Sequence, residues 1–150
     1  MLARGMRRLT VRHARPHDTE RVVEIERASF TNPNPTLLTN VCGIVDGFLV
    51  AENDDGVVGY VLFTPSSAEN ARVLSLAVAP GHRRNGVATR LLRGAFDVLR
   101  ERGFDTVGLE VRVSNTAAGS LYDRLGFVPV GVEQGYYDDG EDAYLMEKKL

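Results

Sequence analysis

The segment from Arg72 to Gly103 places the tightest constraint on what this chain can fold into. The run from Arg72 to Val78 is apolar enough for a strand and stops at Ala79, Pro80 and Gly81, a turn signal. From Gly86 to Arg102 the apolar positions Ala88, Leu91, Leu92, Ala95 and Leu99 recur at helical spacing. Gly103 follows the basic Arg100 and Arg102 as a helix stop. A helix with one apolar stripe must cover an apolar surface, so strand and helix belong to a sheet with helices packed on it.

The flanking segments fit that architecture. Leu9, Val11 and His13 alternate with Arg8, Thr10 and Arg12, the period of a first strand. Asp18 precedes Val22, Val23, Ile25 and Ala28, which predicts a helix ending near Ser29, with Asp18 accepting hydrogen bonds from its first free amides. Between Phe30 and Gly43, the sequence Asn32, Pro33, Asn34, Pro35 disfavours a long regular element. The segment reads as an irregular loop or as a short helix around Leu37 and Leu38. Phe48 to Glu52 and Val57 to Phe63 form a hairpin across Asn53, Asp54, Asp55 and Gly56. Thr106 to Val111 reads as a buried strand and Asn115 to Leu125 as a helix closing at Gly126. Phe127 to Val132 and Ala143 to Lys148 read as two last strands around a turn at Tyr136 to Asp142. The order predicts a mixed α+β fold.

Composition bounds the function. A chain of 150 residues with 43% hydrophobic and 25% charged residues is expected to be one soluble globular domain with a packed core. No apolar run reaches the length of about eighteen residues that a membrane helix needs. The basic start (Arg4, Arg7, Arg8) leads into polar alternation rather than a signal-peptide core, so a cytoplasmic protein without membrane contact is expected. Cys42 is the one cysteine and no Cys/His pair has zinc-site spacing, so neither a disulfide nor a metal is expected. A net charge of −2 removes a general electrostatic case for nucleic acid, yet local basic clusters suit a phosphate-bearing ligand.

Such a cluster joins the fourth strand to the long helix: Arg83, Arg84, Asn85, Gly86, Val87, Ala88, Thr89. First-turn amides of a helix lack internal partners and carry the positive end of its dipole, so an anion binds there readily. The alternative is that Gly86 serves only a tight turn beside solvated arginines. Neither G-x-x-x-x-G-K-[ST] nor G-x-G-x-x-G occurs, so no P-loop or dinucleotide fingerprint is present. Glu110 sits in Val107, Gly108, Leu109, Glu110, Val111. It points either to a solvated face or into a partly dry site where a carboxylate suits general-base work. Tyr122, between Leu121 and Leu125, is either a core tyrosine or a proton donor. Glu133, Asp138, Asp139, Glu141 and Asp142 form either a rim that attracts a cationic peptide terminus or a solvated acidic turn.

These residues together resemble a family. Arg83, Arg84, Asn85, Gly86, Val87, Ala88 match the [QR]-x-x-G-x-[GA] pyrophosphate loop of the GNAT N-acetyltransferases. Leu109 to Asn115, with Leu121, Tyr122, Leu125, Gly126 and Phe127, are similar to the RimI-type protein N-terminal (ribosomal-protein alanine) acetyltransferases. Tyr136 to Ala143 is similar both to these and to the catalytic subunits of eukaryotic and archaeal N-terminal acetyltransferases. The resemblance covers almost the whole chain and implies the GNAT fold, with a mostly antiparallel central sheet.

It also implies roles. Leu76, Ala77 and Val78 would offer strand backbone to the pantetheine arm of acetyl-CoA, the cosubstrate, and Arg83 to Thr89 would cradle its pyrophosphate. Asn115 would add a polar contact to the cofactor. Glu110 would be the general base, acting through water, and Tyr122 the acid that protonates the leaving thiolate. A strand amide such as that of Val78 would stabilise the oxyanion. Tyr136 and Tyr137 would line the substrate peptide, with the Phe30 to Leu38 loop as the other wall. That loop lacks the Pro-Trp or Tyr-Pro signature of RimI-type loops. The implied partner is a protein N-terminus, ribosomal or nascent, met by a monomer or homodimer.

An α-amino group with a pKa of about 7.7 to 8.0 is roughly a tenth to a fifth neutral at pH 7, whereas a lysine at about 10.4 is neutral to well under 0.1%. One carboxylate therefore suffices as base for an N-terminal substrate. The alternatives are a GNAT enzyme for a small amine or for protein lysine, and a CoA-binding sensor without catalysis.

Overall fold

The computed structural model describes residues 8–150, and the basic start around Arg4 and Arg7 lies outside the described residues. The element order is β1 (Thr10–His13), α1 (Thr19–Ser29), α2 (Pro35–Val41), β2 (Phe48–Asn53), β3 (Gly56–Pro65), β4 (Asn70–Val78), α3 (Val87–Glu101), β5 (Thr106–Arg112), α4 (Thr116–Arg124), β6 (Val128–Glu133) and β7 (Ala143–Lys149). The strands form one seven-stranded sheet in the order β1-β2-β3-β4-β5-β7-β6. The β4–β5 pair is parallel, while β1–β2, β2–β3, β5–β7 and β6–β7 are antiparallel. Among the described residues no helix is long and apolar enough to cross a membrane.

The chain forms two compact units, with β4 and α3 each running through both. One consists of residues up to Phe63 together with Leu74–Ala95, the other of Thr64–Val73 with Phe96–Leu150. In the first, Val22 and Ile25 of α1, Leu38 of α2, and Phe48, Val50, Val57, Tyr60 and Leu62 of the β2–β3 hairpin pack with Ala77 and Ala79. The stretch after α1 is thus the short-helix alternative. Pro35 supplies the fixed first helical position, and the Asn34 side chain accepts a hydrogen bond from the Leu37 amide at 3.1 Å. Cys42 is buried in this core and burial pushes its thiol up, which suits packing rather than chemistry. In the second unit Phe127 packs edge-on to Tyr122 and tilted to Phe96, with ring centroids 5.7 and 5.9 Å apart.

Two expectations at the start of the chain are corrected. Asp18 does not cap α1: it closes a 3-10 turn at Pro16–Asp18, accepting from the Arg15 amide at 2.7 Å and from both terminal nitrogens of Arg12 at 2.8 and 3.0 Å. Arg12 also reaches Glu52 across β1–β2, so it is half-buried while His13 is exposed. A bidentate guanidinium–carboxylate pair outweighs a cap that water can replace.

Candidate active site

The first group of sequence-marked residues lies in the first unit, at the end of β4 and the start of α3. Leu76 is half-buried and Ala77 and Val78 are buried. The turn that follows contains three residues in the left-handed region, Gly81 with φ 88°, Arg84 with φ 64° and Gly86 with φ 78°. A Cβ at Gly86 would meet nothing within 4 Å, so the glycine answers to backbone angle rather than to space. The Gly86 carbonyl accepts from the Arg90 amide at 3.0 Å, the first bond of α3. The amides of Val87, Ala88 and Thr89 therefore have no intrahelical acceptor. Arg84 and Asn85 are exposed beside them. Arg83 differs: its Nε donates to the Val78 carbonyl at 3.0 Å and a terminal nitrogen donates to Ser29 Oγ at 3.2 Å. Its guanidinium thus ties the turn to the ends of β4 and α1. Amide donors, a helix dipole and a cation fit a diphosphate. Phe30 follows Ser29 directly and is 42% exposed.

The second group lies in the second unit. Expected as a buried strand, β5 instead alternates strictly: Val107, Leu109 and Val111 are buried, and Gly108, Glu110 and Arg112 lie on the other, more open face. The β4–β5 ladder runs from Asn70↔Thr106 to Arg72↔Gly108. Glu110, two residues beyond Gly108, shares that face with Arg72. The Glu110 carboxylate, 15% exposed, makes an ion pair with Arg72. Arg72 also donates to the Tyr136 hydroxyl at 3.2 Å. Desolvation pulls the Arg72 pKa down, but the bond to Glu110 and its charge win and raise it.

The β6–β7 hairpin completes this group. Tyr136 stacks edge-on against Tyr137 at 4.9 Å, and Arg112 lies over the Tyr137 ring at 4.0 Å. The acidic turn serves largely as scaffold. Asp139 and Glu141 bind Arg112 at 2.9 and 2.8 Å, Glu141 accepts from the Ser114 amide, and Asp142 accepts from the Gly135 amide. Tyr122 on α4 is half-buried, and desolvation, with a smaller contribution from Tyr137, pushes its phenol up to about 12. Asn115 caps α4, its side-chain oxygen accepting from the Ala118 amide at 3.1 Å.

The structure thus brings Leu76–Val78, Arg83–Thr89 and Phe30 together in one unit, and Glu110, Tyr122, Tyr136 and Tyr137 in the other. Sequence reasoning missed Arg72 and Glu26. The signal for Arg72 was a lone cation in an apolar strand. Glu26 stands four residues after Val22 and one after Ile25, on the apolar stripe of α1, where a carboxylate needs buried donors.

The acetyltransferase (GNAT) family matches residues 14–127. The chain is 36% identical to the N-alpha-acetyltransferase of Saccharolobus solfataricus, over 96% of this chain and 95% of that one. It is 35% identical to the putative [ribosomal protein bS18]-alanine N-acetyltransferase of Bacillus subtilis, over 91% and 92% of the two chains. Its fold superposes on the crystal structure of Ard1 from Thermoplasma volcanium with a TM-score of 0.88 at 31% identity, covering 95% of this chain and 97% of that one.

Proposed function

This chain belongs to the acetyltransferase (GNAT) family, and we propose that it transfers the acetyl group of acetyl-CoA to the N-terminal α-amino group of a protein. Likeness to N-alpha-acetyltransferases and to RimI-type enzymes over nearly the whole chain supports this substrate class. A ribosomal protein is the first candidate substrate, since the Bacillus subtilis relative is named for bS18. One catalytic domain carries the activity.

The observation that carries the reading is the Glu110 carboxylate, ion-paired by Arg72 on the open face of β5. A charged, fixed carboxylate accepts a proton directly or through one water. An α-amino group, roughly a tenth to a fifth neutral at pH 7, asks no more of it. When bound, acetyl-CoA supplies the thioester. The amides of Val87, Ala88 and Thr89, with Arg84, Asn85 and the backbone from Arg83 to Gly86, hold its diphosphate, and the backbone of Leu76, Ala77 and Val78 aligns the pantetheine arm. Asn115 contributes a polar contact to the cofactor. Glu110 takes the proton released by the attacking amine. Tyr122, a phenol held at about 12, stays protonated wherever the amine is nucleophilic and gives its proton to the departing sulfur. We assign to the peptide substrate Phe30 of the first unit and, separately, Tyr136 and Tyr137 of the second.

The test is a rate comparison between a short peptide with a free amino terminus and the same peptide formylated there, each with an internal lysine. Transfer to the free peptide alone is expected; equal rates would reject the substrate assignment. Arg84 tests the diphosphate site. Its side chain is exposed whereas that of Arg83 is engaged, so Arg84→Ala is expected to weaken acetyl-CoA binding by about tenfold and to flatten its salt dependence. Titration of acetyl-CoA at two ionic strengths measures both, and unaltered affinity removes Arg84 from the site.

A further inference from the structure

Glu26 closes the segment from Phe30 to Asn34 at both ends. Its backbone carbonyl accepts from the Phe30 amide at 3.1 Å, and its carboxylate accepts from the Asn34 amide at 2.7 Å. The other carboxylate oxygen accepts from the Tyr60 hydroxyl and from Ser75 Oγ at 3.4 Å, and these two hydroxyls lie 2.9 Å apart. Burial, then the bond to Glu26, raises the Tyr60 phenol above its ordinary range, so it remains a donor.

Glu26 is 5% exposed and, among the described residues, its hydrogen bonds come from uncharged donors. Keeping a carboxylate there costs desolvation that an apolar side chain beside Val22 and Ile25 would avoid. What it supplies in return is geometry. Four elements or segments converge on it: α1, the turn before α2, β3 and β4. Pro33 and Pro35 restrict the backbone it holds, and the Asn34 side chain continues the restraint into α2. At the upstream end Ser29 is held by Arg83.

We propose that Glu26 is a positioning residue for the peptide site: with the Phe30 end of Phe30–Asn34 set by the last backbone bond of α1, its carboxylate fixes the Asn34 end, presents the Phe30 ring as a fixed wall and so sets first-residue selectivity. This rests on the reading of the Phe30–Leu38 segment as a wall of the peptide site. A fixed wall discriminates among side chains of different size, whereas a mobile one re-packs around each of them. Glu26→Gln retains an oxygen for the Asn34 amide and, by turning the Tyr60 hydroxyl toward Ser75, retains the remaining contacts. Glu26→Ala retains none of the side-chain contacts.

The experiment measures kcat and KM for acetyl-CoA and for peptides differing in first residue, with wild type, Glu26→Ala, Glu26→Gln and Tyr60→Phe. Glu26→Ala is expected to raise the KM of preferred peptides by about tenfold and to level the preference among first residues. Its kcat and its KM for acetyl-CoA stay within about twofold, and Glu26→Gln and Tyr60→Phe stay near wild type. Unchanged peptide selectivity in folded Glu26→Ala, or an equal rise in both KM values, overturns the inference. Hydrogen exchange on the wild type decides the matter if Glu26→Ala does not fold. A protected Asn34 amide that gains further protection with bound peptide supports the clamp, and a freely exchanging one overturns it. A wild type that acetylates no peptide terminus overturns the functional reading and this inference with it. An active wild type with unaltered Glu26→Ala selectivity overturns the inference alone.

Discussion

Glu110→Gln is expected to lower kcat for an N-terminal peptide by about a hundredfold at pH 7 while leaving acetyl-CoA affinity unchanged. A general base contributes roughly 10² to 10⁴, and the low end applies because a tenth to a fifth of an α-amino group is already neutral at that pH. Glutamine keeps an oxygen for Arg72, so the β4–β5 pairing survives and the loss is chemical rather than structural. The sign of the pH dependence follows. As pH rises through about 8 the amine deprotonates without help, and the gap between wild type and variant narrows. Tyr122, at about 12, remains a proton donor across that range and does not limit the alkaline side. Initial rates from pH 6 to 9 measure this. Equal turnover of variant and wild type throughout would remove Glu110 from catalysis.

Asp18→Ala is expected to destabilise the protein by about 3 kcal/mol, which for a chain of this size is a fall in Tm of about 10 °C. Asp18 is 4% exposed, and its loss leaves the half-buried Arg12 with Glu52 as its remaining carboxylate and the Arg15 amide without its acceptor. The guanidinium of Arg12 holds the Asp18 carboxyl below the usual carboxylate range. A carboxyl with a depressed folded-state pKa contributes its full stability above the unfolded value of about 3.9, and that contribution is lost as pH falls through the folded value. Wild type and Asp18→Asn are therefore expected to differ at pH 7 and to converge on acidification. Urea midpoints at pH 7 and in acid test this, and coincident midpoints at pH 7 would show that the Arg12–Asp18 pair contributes nothing.

Local chemistry made much of the fold legible. The apolar spacing from Ala88 to Leu99 marks α3 and Asn115 announces the start of α4, whereas Asn34 and Pro35, which read as disfavouring a long regular element, cap and open the short α2. The motif residues from Arg83 to Thr89 stand at the start of α3, where first-turn amides lack partners. What sequence could not give is pairing between residues distant along the chain. Asp18 looks like a helix cap until Arg12, brought beside Glu52 by the β1–β2 register, claims both of its oxygens. Glu110 looks like a lone carboxylate until the parallel β4–β5 register brings Arg72 to the same face. The acidic run from Asp138 to Asp142 reads as a charged rim, yet most of it is bound to Arg112 and to turn amides. Glu26 and Tyr60 meet only because α1 packs on the β2–β3 hairpin.

N-terminal acetylation is most directly tested by incubating the protein with acetyl-CoA and a mixture of short peptides that differ in first residue, each with one internal lysine, and locating the acetyl group by mass spectrometry. Acetylation confined to the α-amino group, with a preference among first residues, is the expected result. Acetyl groups on lysine alone, or CoA release only when a small amine is added, would contradict it.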